Sequence, residues 1–188
     1  VRMKPVVVAI GGGSGSGKST LCQLLQAKLG SDVLEVVSLD RYFYPDATTN
    51  NRPECIQADK ARADLASLRD GKTVSFTSRG RQVTYRPRPL IIVEGHLVLS
   101  IPELQDFFDL TIYVDMEPQE RIMRRIERNV AAGADLNQVI AWYRQDAQPG
   151  HWECIEPTKQ EADLILWGNW TERRVEKVSR VLLSLLGD

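Results

Sequence analysis

The chain has 188 residues, 43% of them apolar and 26% charged, with a formal net charge of −1. That length suits one domain over residues 1–188, since a split would leave two small cores. The near-zero charge argues against a nucleic-acid partner. No apolar run approaches the ~18 residues of a membrane span, and the three cysteines form no metal-spaced cluster.

In chain order, Arg2 and Lys4 are followed only by a short strand-like run, which predicts no secretory leader. With Cys22, Cys55 and Cys154 scattered, a cytoplasmic protein with reduced thiols is expected. Val6-Val7-Val8-Ala9-Ile10 predicts a strand over 6–10. It opens into Gly11-Gly12-Gly13-Ser14-Gly15-Ser16-Gly17-Lys18-Ser19-Thr20, a P-loop. Glycines let successive N–H groups turn inward as an anion nest, and the following helix adds its positive end. Residues Gly12 to Thr20 are therefore the expected ATP-phosphate cradle, with Lys18 reaching the β- and γ-phosphates and Ser19 ligating Mg²⁺. The context is right for this motif, because an amphipathic helix with Leu21, Leu24, Leu25 and Leu29 follows over 18–29. Cys22 in that helix reads as a small buried hydrophobe.

Further strands are expected at 33–38, 90–93, 110–114 and 163–167, and helices at 56–70, 102–107, 117–131, 135–147 and 171–186. This alternation implies an α/β fold: a three-layer α/β/α P-loop architecture with a five-stranded, mainly parallel sheet. Residues 72–89 break the rhythm. They read as a β-hairpin flap carrying Lys72, Arg79, Arg81, Arg86 and Arg88 and no acid. It is either a solvated charged hairpin or an anion-binding flap.

A P-loop alone does not separate kinases from ATPases and switches. Asp40 lies just past the second predicted strand, at the edge where open α/β sheets bind ligands. There it could take the proton of an attacking hydroxyl, hold a metal-bound water, or simply cap a turn. Glu94 ends the strand Leu90–Val93 and offers a hard oxygen for Mg²⁺. Asp115, ending Thr111–Val114, is its rival, and Gly95-His96 after Glu94 favours Glu94. His96 could line the site or pack at a strand end, and His151 is similarly open. Residues 117–131 carry a helix in which Arg121, Arg124, Arg125 and Arg128 recur at helical spacing. Pairing with Glu117, Glu120 and Glu127 on a solvated face accounts for Arg121, but less for Arg125 and Arg128.

Five segments together resemble the uridine kinase and phosphoribulokinase family of P-loop kinases. They are the loop Gly11–Thr20, Ser38-Leu39-Asp40-Arg41-Tyr42-Phe43-Tyr44, Val93-Glu94-Gly95, Arg124-Arg125-Ile126-Glu127-Arg128-Asn129, and Ile155-Glu156-Pro157-Thr158-Lys159-Gln160-Glu161-Ala162-Asp163. The resemblance implies an ATP-dependent kinase acting on a hydroxyl of a small metabolite. It implies Asp40 as general base, Glu94 at Mg²⁺, a lid-like arginine helix over 117–135 with Arg125 and Arg128 facing the phosphates, and a hairpin that helps enclose the acceptor. Tyr44, Arg79, Arg81 and His96 are the expected acceptor contacts. The chain departs from uridine kinases at Asn51-Arg52-Pro53, Ser78-Arg79-Gly80-Arg81, Gly133-Ala134-Asp135 and Trp142, positions that read the nucleoside there. The acceptor is therefore expected to be nucleoside-like or an anionic sugar-like compound. The competing reading is a nucleotide-binding switch or ATPase without a small acceptor. A GTPase would need Asn-Lys-x-Asp, and no such motif is found. Exposed faces of 56–70 or 171–186 could pair subunits as a homo-oligomer.

Overall fold

The computed structural model describes residues 4–187, so Arg2, used in the leader reading, lies outside the described residues. Five parallel strands form one sheet in the order β2-β5-β1-β6-β7. These are β1 (Val6–Gly11), β2 (Leu34–Ser38), β5 (Leu90–Glu94), β6 (Leu110–Asp115) and β7 (Leu164–Trp167). The central strands are apolar along their length because both faces are covered. Val7 to Ile10 and Leu90 to Ile92 are fully buried. Parallel register pairs Val8 with Ile92 on one side and with Leu110 on the other.

One face packs on α1 (Lys18–Leu29) and α7 (Glu172–Ser184), through Leu21, Leu25, Val175 and Leu182. Cys22 belongs to this layer, and burial pushes its thiol far up, in keeping with a core role. All three cysteines are free. The other face carries α2 (Ala58–Arg69), the short α3 (Pro102–Gln105) and the antiparallel hairpin β3 (Val74–Ser78) and β4 (Arg81–Tyr85). Val74, Phe76, Val83 and Tyr85 anchor the hairpin to the core, which leaves the two-residue tip Arg79-Gly80 to project. Both tip residues have positive φ, 50° at Arg79 and 71° at Gly80, as a tight two-residue hairpin turn requires.

The predicted element bounds agree with the structure to within a few residues, with one informative exception. The helix expected over 135–147 is α5 (Leu136–Trp142) and then continues without a break. Two π-helical stretches, Tyr143–Ala147 and His151–Ile155, flank the single turn α6 (Gln148–Gly150). Pro149 reads as a stop signal, but the wider π turns absorb its missing N–H and its ring. The remaining long helix, α4 (Pro118–Ala131), starts on a proline that needs no donor at that position.

Two close approaches fix the P-loop against the sheet. Gly12 has φ 122°, and a Cβ there would run into the Val114 carbonyl. A Cβ on Gly168, just past β7, would collide with the Ser16 carbonyl oxygen. Gly168→Ala is therefore expected to lower stability by about 1–3 kcal/mol, the usual range for overpacking, and to weaken ATP binding. Thermal denaturation and nucleotide titration of that variant measure both effects.

Candidate functional site

Four loops leave the carboxyl ends of the strands and meet at one edge, where open α/β sheets place their ligands. The P-loop leaves β1, a 3-10 turn Leu39–Tyr42 carrying Asp40 leaves β2, Glu94-Gly95-His96 ends β5, and Asp115 ends β6. A cleft of about 330 Å³ opens there. Its walls include Lys18, Ser19, Asp40, Glu94, Arg79 and Arg125. Ser14, Gly15, Gly17, Thr20, His96, Arg124 and Arg128 also face it.

Lys18 is buried, and its Nζ donates to the Gly13 carbonyl at 2.8 Å. Burial lowers its pKa to about 8, against the raising influence of Glu94 and Asp40. The Ser19 hydroxyl donates to Glu94 Oε2 at 3.2 Å. Burial, then the Lys18 charge acting in the opposite sense and Asp40 adding to the rise, leave the Glu94 carboxyl above its ordinary value. Asp115, the rival carboxylate, is held by Lys159 at 2.5 Å and by the Met116 N–H. The pair of hard oxygens at the P-loop is therefore Ser19 with Glu94.

Asp40 is half-exposed, and among the described residues its carboxylate accepts no hydrogen bond. Its nearest charged-capable neighbour is His96 Nδ1, 3.8 Å from Oδ1. Burial holds His96 at about 4, and its Nε2 meets the Asn50 carbonyl at 2.6 Å. A neutral His96 makes no ion pair with Asp40, which faces the more distant charges of Lys18 and Arg125.

The arginine helix divides its work differently from the sequence expectation. Arg121, read as a solvated residue, is buried at 8% exposure. Its Nε donates to the Met116 carbonyl, its Nη2 to His151 Nε2 at 2.9 Å, and it packs under Gly13. The pair to Glu120 is made by Arg124 instead, at 2.7 Å. Arg125 stacks on Trp142, 4.4 Å from the ring centroid, and burial followed by Arg128 lowers its pKa to about 10. Arg128 Nη2 reaches the Ser14 hydroxyl at 3.4 Å.

The remaining expected acceptor contacts separate. Arg79 lines the cleft from the hairpin tip, 5.9 Å over the Phe43 ring. Arg81 is exposed on β4 and does not border the cleft. Tyr44 turns to a different groove, lined by Pro53, Ile56, Ile101 and Pro102. Sequence reasoning marked Asn51-Arg52-Pro53 as a departure from uridine kinases but missed what this segment is held by. There Asp146 takes hydrogen bonds from Thr49 and Asn51, each at 2.7 Å, and Arg52 pairs with Glu153. The only local signal was the polar run Thr48–Asn51, which says nothing of its distant partner.

This geometry is that of a P-loop phosphoryl-transfer enzyme. The Phosphoribulokinase / Uridine kinase family model matches residues 7–168, and the chain belongs to that family. It is 32% identical over 181 residues to the uridine kinase of Limosilactobacillus reuteri (strain DSM 20016), covering 87% of this chain and 83% of that one. It is 31% identical over 197 residues to the uridine kinase of Chlamydia pneumoniae, covering 95% and 88%. Among solved structures, a candidate fructose transport system kinase from Silicibacter sp. TM1040 superposes with a TM-score of 0.70 at 20% identity, over 90% of this chain and 92% of that one. The protein is an ATP-dependent small-molecule kinase.

The buried lysine gives a pH test. Phosphate favours the charged amine, and free Lys18 loses its proton as pH rises through about 8. ATP affinity is expected to be level from pH 6 to below 8 and to fall by up to about tenfold per unit above it. Calorimetric titration across that range checks this, and Lys18→Met should bind weakly with no such slope.

Proposed function

We propose that the cleft transfers the γ-phosphate of ATP to a hydroxyl of a small metabolite, nucleoside-like or anionic and sugar-like, inside the cytoplasm. The observation that carries this reading is the gathering of Asp40, Lys18, the Ser19–Glu94 pair and the cleft arginines around one 330 Å³ space.

The P-loop N–H groups and Lys18 hold the ATP phosphates. The hydroxyl of Ser19 and the carboxylate of Glu94 suit Mg²⁺, which favours hard oxygen ligands and shares them with phosphates. That ion, when bound, neutralises charge between the β- and γ-phosphates. Asp40 accepts the acceptor's hydroxyl proton, a role that suits a carboxylate with no hydrogen-bond donor of its own to satisfy. Arg125 and Arg128 reach over from α4 and offset the charge that spreads over the transferring group. Trp142 sets the plane of the Arg125 guanidinium by stacking on it. The acceptor lies between the Arg79 hairpin tip, Phe43 and His96. Arg79 is held at φ 50°, a conformation that costs a non-glycine residue about 1–2 kcal/mol. Backbone strain of this kind collects at ligand clamps.

Asp40→Asn is the direct test. It should keep ATP affinity within about threefold and lower kcat by roughly 10²- to 10⁴-fold, the usual weight of a general base. ADP release is measured over nucleosides, sugar phosphates and hydroxy acids, each against a no-acceptor control. Acceptor-dependent release by the parent chain is expected. Release that no acceptor stimulates, or full turnover by Asp40→Asn, would remove the reading.

A further inference from the structure

The wall behind the P-loop gathers hydrogen-bond donors and cations with little to balance them. Arg121 is 8% exposed, and among the described residues no carboxylate pairs with it. A guanidinium can only donate, so the His151 Nε2 that meets its Nη2 at 2.9 Å accepts. His151 is 6% exposed and neutral, with burial and then Arg121 pushing it down to about 3. The ring proton therefore sits on Nδ1, and Nδ1 is buried with no partner. Arg125 Nε is likewise buried with no partner.

Glu156 lies against this group, with Oε2 3.2 Å from His151 Nε2, while Asp40 and Asp146 act on Arg125 from farther off and Asp146 is taken by Thr49 and Asn51. Glu156 already accepts from the Tyr113 hydroxyl at 2.8 Å and faces Lys159 at 3.8 Å. Asp115 is taken by Lys159 as well. None of these carboxylates borders the small recess that His151, Arg121 and Arg125 share with Asn51 and Tyr143.

That recess measures about 20 Å³, room for one oxygen-sized atom. It adjoins the main cleft, sharing Ser14, His96 and Arg125 with it, and in the empty site both unpaired N–H groups are closed to water, so the recess must widen to admit a ligand atom. Buried donors left unpaired are costly, and buried cations without anions more so. We infer that the recess receives one anionic oxygen of a carboxylate or phosphate group on the acceptor, taken by His151 Nδ1–H and Arg125 Nε–H in the field of Arg121. The inference rests on the cleft being the acceptor site. It assigns the acceptor to the anionic class rather than to neutral nucleosides, and it makes His151 a specificity residue.

Only two histidines occur in the chain, His96 and His151, so ring ¹⁵N NMR resolves both. The labelled protein is loaded with Mg²⁺ and β,γ-imido ATP, which fills the γ-phosphate position, and titrated with acetate and separately with inorganic phosphate. The expected result is an Nδ1–H tautomer at His151 whose Nδ1 signal moves saturably with acetate, with phosphate or with both. The anion that acts names the group. His151→Asn, which offers an N–H near the same place, should bind that anion within about threefold of the parent, while His151→Phe weakens it at least tenfold. Both variants are followed at the Ser14 amide. An Nε2–H tautomer, no saturable shift with either anion up to about 100 mM, or equal affinity in the two variants would overturn the inference. If the variants do not fold, the parent titration decides alone. The spectrum needs no turnover, so it can fail while the Asp40→Asn assay succeeds, and the reverse.

Discussion

The P-loop occupies a space too narrow for side chains. Gly12 presses on the Val114 carbonyl, Gly15 on the Arg121 backbone, and Gly168 on the Ser16 carbonyl. These contacts tie the loop after β1 to β6, to α4 and to the turn after β7 at once. The Trp170 indole adds a hydrogen bond to the Gly17 carbonyl at 2.8 Å, closing the far side. A loop held this way has its N–H groups oriented before any phosphate arrives, so little ordering remains to be done on binding. The same contacts set the position of α4, and with it the reach of Arg124, Arg125 and Arg128 into the cleft.

Charge then becomes the main difficulty of the site. Lys18, Arg121 and Arg125 are all substantially desolvated, and burial lowers the pKa of Lys18 and Arg125. Glu94 and Asp40 offset Lys18, and Asp40 and Asp146 act on Arg125, but among the described residues no carboxylate pairs with Arg121 or Arg125. The two histidines nearby cope by staying neutral, each driven down by burial. An arrangement that keeps cations dry and histidines uncharged is unfavourable for the protein alone and favourable once polyanionic phosphates lie against it. Part of the electrostatic work of phosphoryl transfer is thus done when the chain folds.

Much of this was legible in the sequence, for physical reasons. The central strands, buried on both faces, must be continuous apolar runs, and the edge strands β2 and β7 are short apolar runs at the expected spacing, so all five sheet strands could be read. The P-loop, Asp40 and Glu94 could be found because each follows directly from the end of such a run. What escaped depends on contacts between distant segments. Spacing placed Arg121 among acidic neighbours on its own helix, whereas the packing of α4 against Gly13 and Gly15 turned it inward. Tyr44 was read as an acceptor contact from its neighbours in sequence, but the turn after Tyr42 directs it to another groove. The helix expected over 135–147 was ended too soon, since nothing local announces that π turns will carry the chain on past Pro149.

The divergence from uridine kinases also follows from the division of the site. The catalytic side hangs on single strand ends locked into the sheet, and any change there disturbs the core. The side we assign to the acceptor is assembled from pieces that mainly hold one another. Thr49 and Asn51 bind Asp146, Arg52 binds Glu153, and the Ser100 hydroxyl meets the Cys154 carbonyl. The hairpin tip is anchored separately, by the Ser78 hydroxyl on the Arg41 carbonyl at 2.9 Å. Because these links run between loops and the π-helical segment, side chains among them can change together without moving the P-loop. A pocket built in this way can take on a different acceptor while Lys18, Ser19, Asp40 and Glu94 keep their relative positions. On the proposed assignment of the acceptor to this side, substrate choice falls to the wall that includes Asn51 and His151 rather than to the P-loop.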